Sequence, residues 1–281
     1  MYGFLALFMW GVLAALSVFT QAVPPFQLLA ICFTIAASLL FFKRLFCRES
    51  IFKFTAMTTQ QWLVGVGGLF GFHLCYFLAL RFAPPIESSL IIYLWPLLLG
   101  ILVAKKGSKH YALFGGLLGF LGSVLIISQG VQFQVSADQL IGYALALCCA
   151  LIWAGYSWYF STSDNSVEDI GWLSLAVAGL SLLCHLMFEE TYIPVSGFEY
   201  AMLLLIGLGP TGGAFYLWDI GMKRGNPTFL ASLSFGTPVI SSVALYLFGF
   251  ADLTLAILIA IALIVSGAIV SNKKGFDDVT P

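Results

Sequence analysis

Charge is what this sequence lacks. Of its 281 residues 9% are Asp, Glu, Lys or Arg, against 60% hydrophobic, and mean hydropathy is +1.00. Soluble domains carry roughly 25% charged residues, so a water-soluble fold is excluded. A net charge of −1 gives no basic surface for nucleic acid. The chain has no G-x-x-x-x-G-K-[ST] run, which excludes ATP hydrolysis as a drive. It also lacks HExxH and the GxSxG elbow, so it reads as a non-enzyme with no catalytic residues, no nucleotide and no cofactor. The six cysteines form no CxxC and no Cys/His spacing for a metal. They read as small apolar fillers, with Cys47 in a basic loop. The opening run MYGFLALFMWGVLAALSVFTQ lacks a basic leader and an A-x-A-like cleavage site, so it reads as a first span and not a signal peptide.

What the sequence has is long apolar runs. A bilayer core needs roughly 20 mostly apolar residues per helix. Ten runs qualify: about 2–21, 26–43, 60–82, 85–104, 110–129, 139–161, 170–188, 199–222, 227–248 and 251–271. The expected fold is an all-α polytopic membrane protein of ten transmembrane helices. If the spans alternate, one side receives Lys43, Arg44, Arg48, Lys53, Lys105, Lys106, Lys109, Lys223, Arg224, Lys273 and Lys274, which is eleven of the twelve basic residues. The other side receives Arg81. This bias places both termini in the cytoplasm.

A shift of 142 residues lays 65–81, GVGGLFGFHLCYFLALR, without gaps over 207–223, GLGPTGGAFYLWDIGMK. Gly65, Gly67 and Gly71 meet Gly207, Gly209 and Gly213, and Tyr76 meets Trp218. The register continues through Pro85 and Pro227 to Pro96 and Pro238, and Trp10 meets Trp153 within one residue of the same shift. The expected units are 1–135 and 136–281. Five spans per unit is odd, so the second copy enters the membrane from the opposite side. Inverted repeats of this kind carry a substrate site near the midplane, at the repeat interface.

The run HLCYFLALRFAPPIESSLIIYLWP, residues 73–96, within two five-helix repeats, resembles the drug/metabolite transporter superfamily of EamA type. Within that superfamily it is most similar to the YddG-type aromatic amino acid exporters of bacterial inner membranes. The resemblance implies an inner-membrane exporter whose partners are a small aromatic substrate and the lipid bilayer, acting as a monomer. Export direction comes from the resemblance alone.

Several side chains fit a pathway. Pro96 and Pro238 remove a backbone donor near mid-span and clash with the carbonyls of Ile92 and Ser234, which suits a hinge. His73 and Tyr76 share a helical face, and ionisable groups in a bilayer mostly face cavities. Tyr93 and Trp95 flank Pro96 at a depth where belt aromatics do not belong. Trp153 and Ser157 share a face of span six. Ser234, Thr237, Pro238 and Ser241 form a polar stripe that either packs against a neighbouring helix or lines the pathway. Asp219 and Lys223, at i and i+4, read as an interfacial ion pair, with a proton or substrate site at Asp219 as the alternative. Glu87 lies in the first turn of its helix, where a carboxylate suits the dipole, with Arg81 as a partner at a gate.

A cavity lined by His73, Tyr76, Tyr93, Trp95 and Trp153, with Ser234 and Thr237, suits an aromatic ring and an amine over a ring face. The expectation is an aromatic amino acid exporter working by alternating access. Two alternatives stand: carriage of a different metabolite or drug in either direction, and a non-saturable channel-like protein.

Overall fold

With no water in a bilayer to receive backbone N–H and C=O groups, apolar runs close their hydrogen bonds internally as helices. The computed structural model describes residues 1–51, 53–128, 137–252 and 254–273. Among these it holds thirteen α-helices and no strand. They are α1 (Tyr2–Ser17), α2 (Pro25–Phe46), α3 (Thr59–Phe82), α4 (Pro85–Ile92), α5 (Trp95–Val103), α6 (Lys109–Ser128), α7 (Leu140–Thr162), α8 (Asp169–Phe188), α9 (Gly197–Leu208), α10 (Gly213–Arg224), α11 (Pro227–Ser234), α12 (Thr237–Leu247) and α13 (Leu255–Ser271). The boundary between the two expected units, at 135/136, lies outside the described residues.

Starts follow local chemistry. Prolines open α2, α4 and α11 at a position whose N–H has no helical partner. Thr58 and Gln61 form a reciprocal capping box on α3. Asn226 accepts from the Phe229 N–H at 3.0 Å to cap α11.

Among the described residues eight stretches are long and apolar enough to cross a membrane, and a ninth if α11 and α12 count together. α13 is a shorter apolar helix of 17 residues. Three runs that read as unbroken spans are interrupted. The α4/α5 break falls at Tyr93–Leu94, just before Trp95 and Pro96. The α11/α12 break falls at Phe235–Gly236, just before Thr237 and Pro238, with a bend of 45°. The α9/α10 break covers Gly209–Gly212. A Cβ on Gly212 would sit 1.8 Å from the Gly207 carbonyl oxygen, so the chain can pass through this break only as glycine.

Outward faces are apolar: Leu182, Leu183, Leu186 and Met187 are all exposed, as lipid contact allows. Small residues mediate close packing. On α6, a Cβ at Gly115 would come within 2.3 Å of the Gly267 carbonyl oxygen of α13. Besides α6 with α13, the main neighbours are α2 with α8, α3 with α7, and α1 with α10 and α12. The largest buried cluster lies where α1, α2, α3, α5, α7, α8, α10 and α11 meet.

Candidate functional site

The broken helices deliver aromatic side chains to the centre. Trp153 of α7 meets Trp10 of α1 edge to face, with centroids 5.5 Å apart, and Trp95 of α5 in the same manner at 6.2 Å. Trp218 of α10 lies 5.2 Å from Trp10 and 5.9 Å from Trp95. Such edge and offset contacts are the favoured aromatic geometries. Trp95, Trp153 and Trp218 are 7%, 5% and 2% exposed. The indole N–H of Trp218 donates to Ser157 Oγ at 3.0 Å. That of Trp10 donates at 2.9 Å to the Pro210 carbonyl, which the α9/α10 break leaves free.

His73 adjoins this cluster. Its ring lies 5.3 Å from Phe72, 5.6 Å from Phe33 and 6.4 Å from Phe215. Its Nδ1 stands 2.7 Å from the Leu69 carbonyl. A carbonyl only accepts, so Nδ1 carries a proton; when the ring is neutral, Nε2 is an acceptor. Tyr76 stacks on Phe72 at 6.2 Å, and Phe72 in turn reaches Trp153 at 5.8 Å. His73, Tyr76, Trp95 and Trp153 are thus joined in one aromatic assembly.

The two proline breaks lie close together: Leu94 and Leu97 pack with Phe235 and Val239 in one buried cluster. Pro96 and Pro238 are buried, each in the first turn of the segment after its break. There a missing N–H costs little. The Thr237 hydroxyl donates to the Ser234 carbonyl at 2.9 Å, and the buried Ser234 hydroxyl to the Leu230 carbonyl at 2.8 Å. Ser234 therefore turns inward to its own helix and does not join the aromatic assembly. Arg81 and Glu87 lie away from it: Arg81 is exposed, and Glu87 receives the Tyr143 hydroxyl of α7.

The sequence reading missed Trp10, Phe215 and Trp218 as members of the centre. Their signal was the repeat register, in which Trp10 and Trp218 already figured as matches. Beside the assembly, a cleft of about 440 Å³ lies between α3 and α7, with Gly67, Gly68, Gly155 and Tyr156 in its lining. Tyr156 also stacks on Trp153 at 5.1 Å.

Charge is kept to helix ends. At the end of α2, Lys43 Nζ donates to Glu168 Oε1 at 2.6 Å, and Arg44 donates to Oε2 at 2.8 and 3.1 Å. Lys43, with Arg44, holds the Glu168 carboxyl below its usual value. Arg44 also donates at 2.6 Å to the Lys53 carbonyl. At the opposite end of the α2/α8 pair, Glu189 accepts from the N–H groups of Phe26 and Gln27 at 2.9 and 3.0 Å, an anion on a helix N-terminus. His185 Nδ1 lies 3.0 Å from the same carboxylate. Within α10, Lys223 and Asp219 pair at 3.0 Å.

Residues 140–273 match the EamA-like transporter family. The chain is 40% identical over 277 residues to the aromatic amino acid exporter YddG of Ancylobacter novellus, covering 96% of this chain and 95% of that one. The YddG exporter of Escherichia coli is 24% identical over 184 residues, covering 61% of this chain and 62% of that protein. A crystal structure of a protein 38% identical in sequence superposes with a TM-score of 0.90, over 99% of this chain and 98% of that one. The two YddG relatives are exporters by name, and this apolar chain is a multi-pass membrane protein. The chain belongs to the EamA-like transporter family of the drug/metabolite transporter superfamily, and it resembles that family's YddG-type members.

Proposed function

We propose that this protein exports aromatic amino acids across a bacterial inner membrane by alternating access, through ten spans arranged as two inverted five-helix repeats with both termini in the cytoplasm. The observation that carries this reading is the meeting of repeat-related aromatic positions at the centre. At the offset of 142, His73 corresponds to Phe215, and their rings lie 6.4 Å apart. Trp10 corresponds to Trp153 within one residue, and those rings lie 5.5 Å apart. The breaks at Tyr93–Leu94 and Phe235–Gly236 also differ by 142.

Helix pairing supports the repeat as well. Exchanging halves turns the α3/α7 contact into that of α9 and α10 with α1, and the α4 and α5 contacts with α7 into those of α11 and α12 with α1. α2/α8 and α6/α13 map onto themselves. The tenth span in this reading is α13, whose 17 residues reach about 25 Å at 1.5 Å per residue, near the hydrocarbon thickness with modest adjustment of the bilayer.

A substrate ring would take the place of one partner in the edge-to-face contact of Trp95 with Trp153, with Tyr76 reaching it through Phe72. The α-ammonium would donate to His73 Nε2 or lie over an indole face. Tyr93 and Thr237 would supply the polar rim at the paired breaks, where Pro96 and Pro238 act as hinges, while Ser234 stays turned to its own helix. Arg81 and Glu87 would close the outer end of α3 and α4. Three buried indoles across the centre suit a carrier that occludes its solute better than an open pore. The names of the YddG relatives agree with the substrate class.

The test is flux of labelled tryptophan into proteoliposomes. Saturable uptake, lost in His73→Ala and Trp95→Ala variants that remain folded, supports the proposal. A non-saturating conductance, or undiminished transport in both variants, contradicts it.

A further inference from the structure

Asp219 is a charged side chain the transport scheme does not yet use. It lies on α10 and is 4% exposed, one turn inside the basic end of that helix. Its Oδ2 pairs with Lys223 Nζ at 3.0 Å, while its Oδ1 is buried with no hydrogen-bond donor. A buried carboxylate with one oxygen unmatched is costly wherever it stands, and ionisable groups inside a bilayer mark ion or proton pathways by default.

The surroundings say which ligand fits. From α7, Tyr156 stands within electrostatic reach, and from the start of α8, Asp169 does so. Asn165, in the connection between them, accepts from Lys223 Nζ at 2.8 Å through both its backbone and its side-chain oxygen. α1 brings Tyr2 and the chain amine as its titratable groups, and α11 brings none. A metal cation would need several further oxygen donors around Oδ1. A proton needs one oxygen.

Resting on the transporter reading above, we infer that Asp219 is the proton-binding site that couples this carrier to a proton gradient. Protonation at Oδ1 removes the charge that Lys223 pairs with and leaves at Oδ2 a weaker, neutral acceptor beside the two oxygens of Asn165. The inner end of α10 is then less firmly held. Trp218, the residue before Asp219, is bonded to Ser157 and packed on Trp10 and Trp95, so movement of α10 reaches the aromatic centre directly. One proton taken up from the outer side and released to the inner side accompanies each outward substrate.

Two measurements test this. In proteoliposomes with an acidic interior, the wild type accumulates tryptophan by up to about tenfold per pH unit, the limit for one proton per substrate. Asp219→Asn takes up tryptophan to equilibrium at the same rate with or without the gradient, and Asp219→Glu recovers accumulation. Gradient-driven accumulation in Asp219→Asn, or tryptophan flux in the wild type that ignores the gradient, overturns the inference. The second measurement needs no substrate: intrinsic tryptophan fluorescence is titrated against pH in detergent. The wild type shows a transition that Asp219→Asn lacks and that Lys223→Gln moves to higher pH. A transition unchanged in either variant overturns the inference. A wild type that moves no tryptophan refutes the substrate reading, and the titration still decides the proton site.

Discussion

Trp10 and Trp153 meet edge to face with centroids 5.5 Å apart, although more than half the chain lies between them. Trp10 is anchored by its indole N–H to the Pro210 carbonyl at the break in the eighth apolar stretch. Trp153 also touches Trp95, Phe72, Phe215 and Trp218. This contact joins the two halves of the molecule and both sets of candidate substrate residues.

Trp153 should therefore be the most sensitive aromatic position. Trp153→Ala removes a buried indole, at a cost of about 3–5 kcal/mol in fold stability, and should lower tryptophan flux per folded protein more than tenfold, on the order of 1.4 kcal/mol or more. Trp153→Phe keeps a stacking face and should retain measurable flux with a raised KM. The check is initial rate against concentration, normalised to monodisperse protein. Equal loss in both variants would mean that the indole acts only as packing.

Glycine positions should divide sharply. A Cβ on Gly115 meets the Gly267 carbonyl and the Ser271 side chain of α13 at 2.3 and 2.2 Å, whereas one on Gly67 meets nothing within 4 Å. Gly115→Ala should lower thermal stability, with an overpacking cost of about 1–3 kcal/mol. Gly67→Ala should be neutral or stabilising by up to about 1 kcal/mol through helix propensity. Thermal unfolding in detergent distinguishes the two.

Much of this architecture is legible in the sequence because the physics is local. Apolar runs give the spans, paired prolines give two of the three breaks, and the i, i+4 spacing gives the Asp219–Lys223 pair. The third break, at Gly209–Gly212, is lost when hydropathy is averaged over a whole span. Glu87 shows the other limit. Its nearness in sequence to Arg81 suggests a pair, but the Ala83–Pro84 turn starts a new helix and Glu87 receives the hydroxyl of Tyr143 on α7. Glu189 binds the N-terminus of α2 from 163 residues away. His185 is buried beside it. Such partners are set by tertiary packing, and no local pattern announces them.

The Glu168 site should carry a pH signature. Its carboxyl is held below the usual value by Lys43 and Arg44, so its contribution is present above the unfolded-state value and is lost as pH falls through the folded-state value. Glu168→Gln should lower the melting temperature at neutral pH. The gap to the wild type should close on acidification below about pH 4, the ordinary glutamate range. A constant gap across that range would assign the effect to something other than this charge.

The most direct test of the central claim is competition of labelled tryptophan transport by a panel of unlabelled amino acids in proteoliposomes. Tryptophan flux should be saturable and inhibited by phenylalanine and tyrosine, while leucine, glutamate and lysine leave it unchanged. Inhibition by aliphatic or charged amino acids equal to that by aromatic ones would contradict an aromatic binding site formed by Trp95 and Trp153.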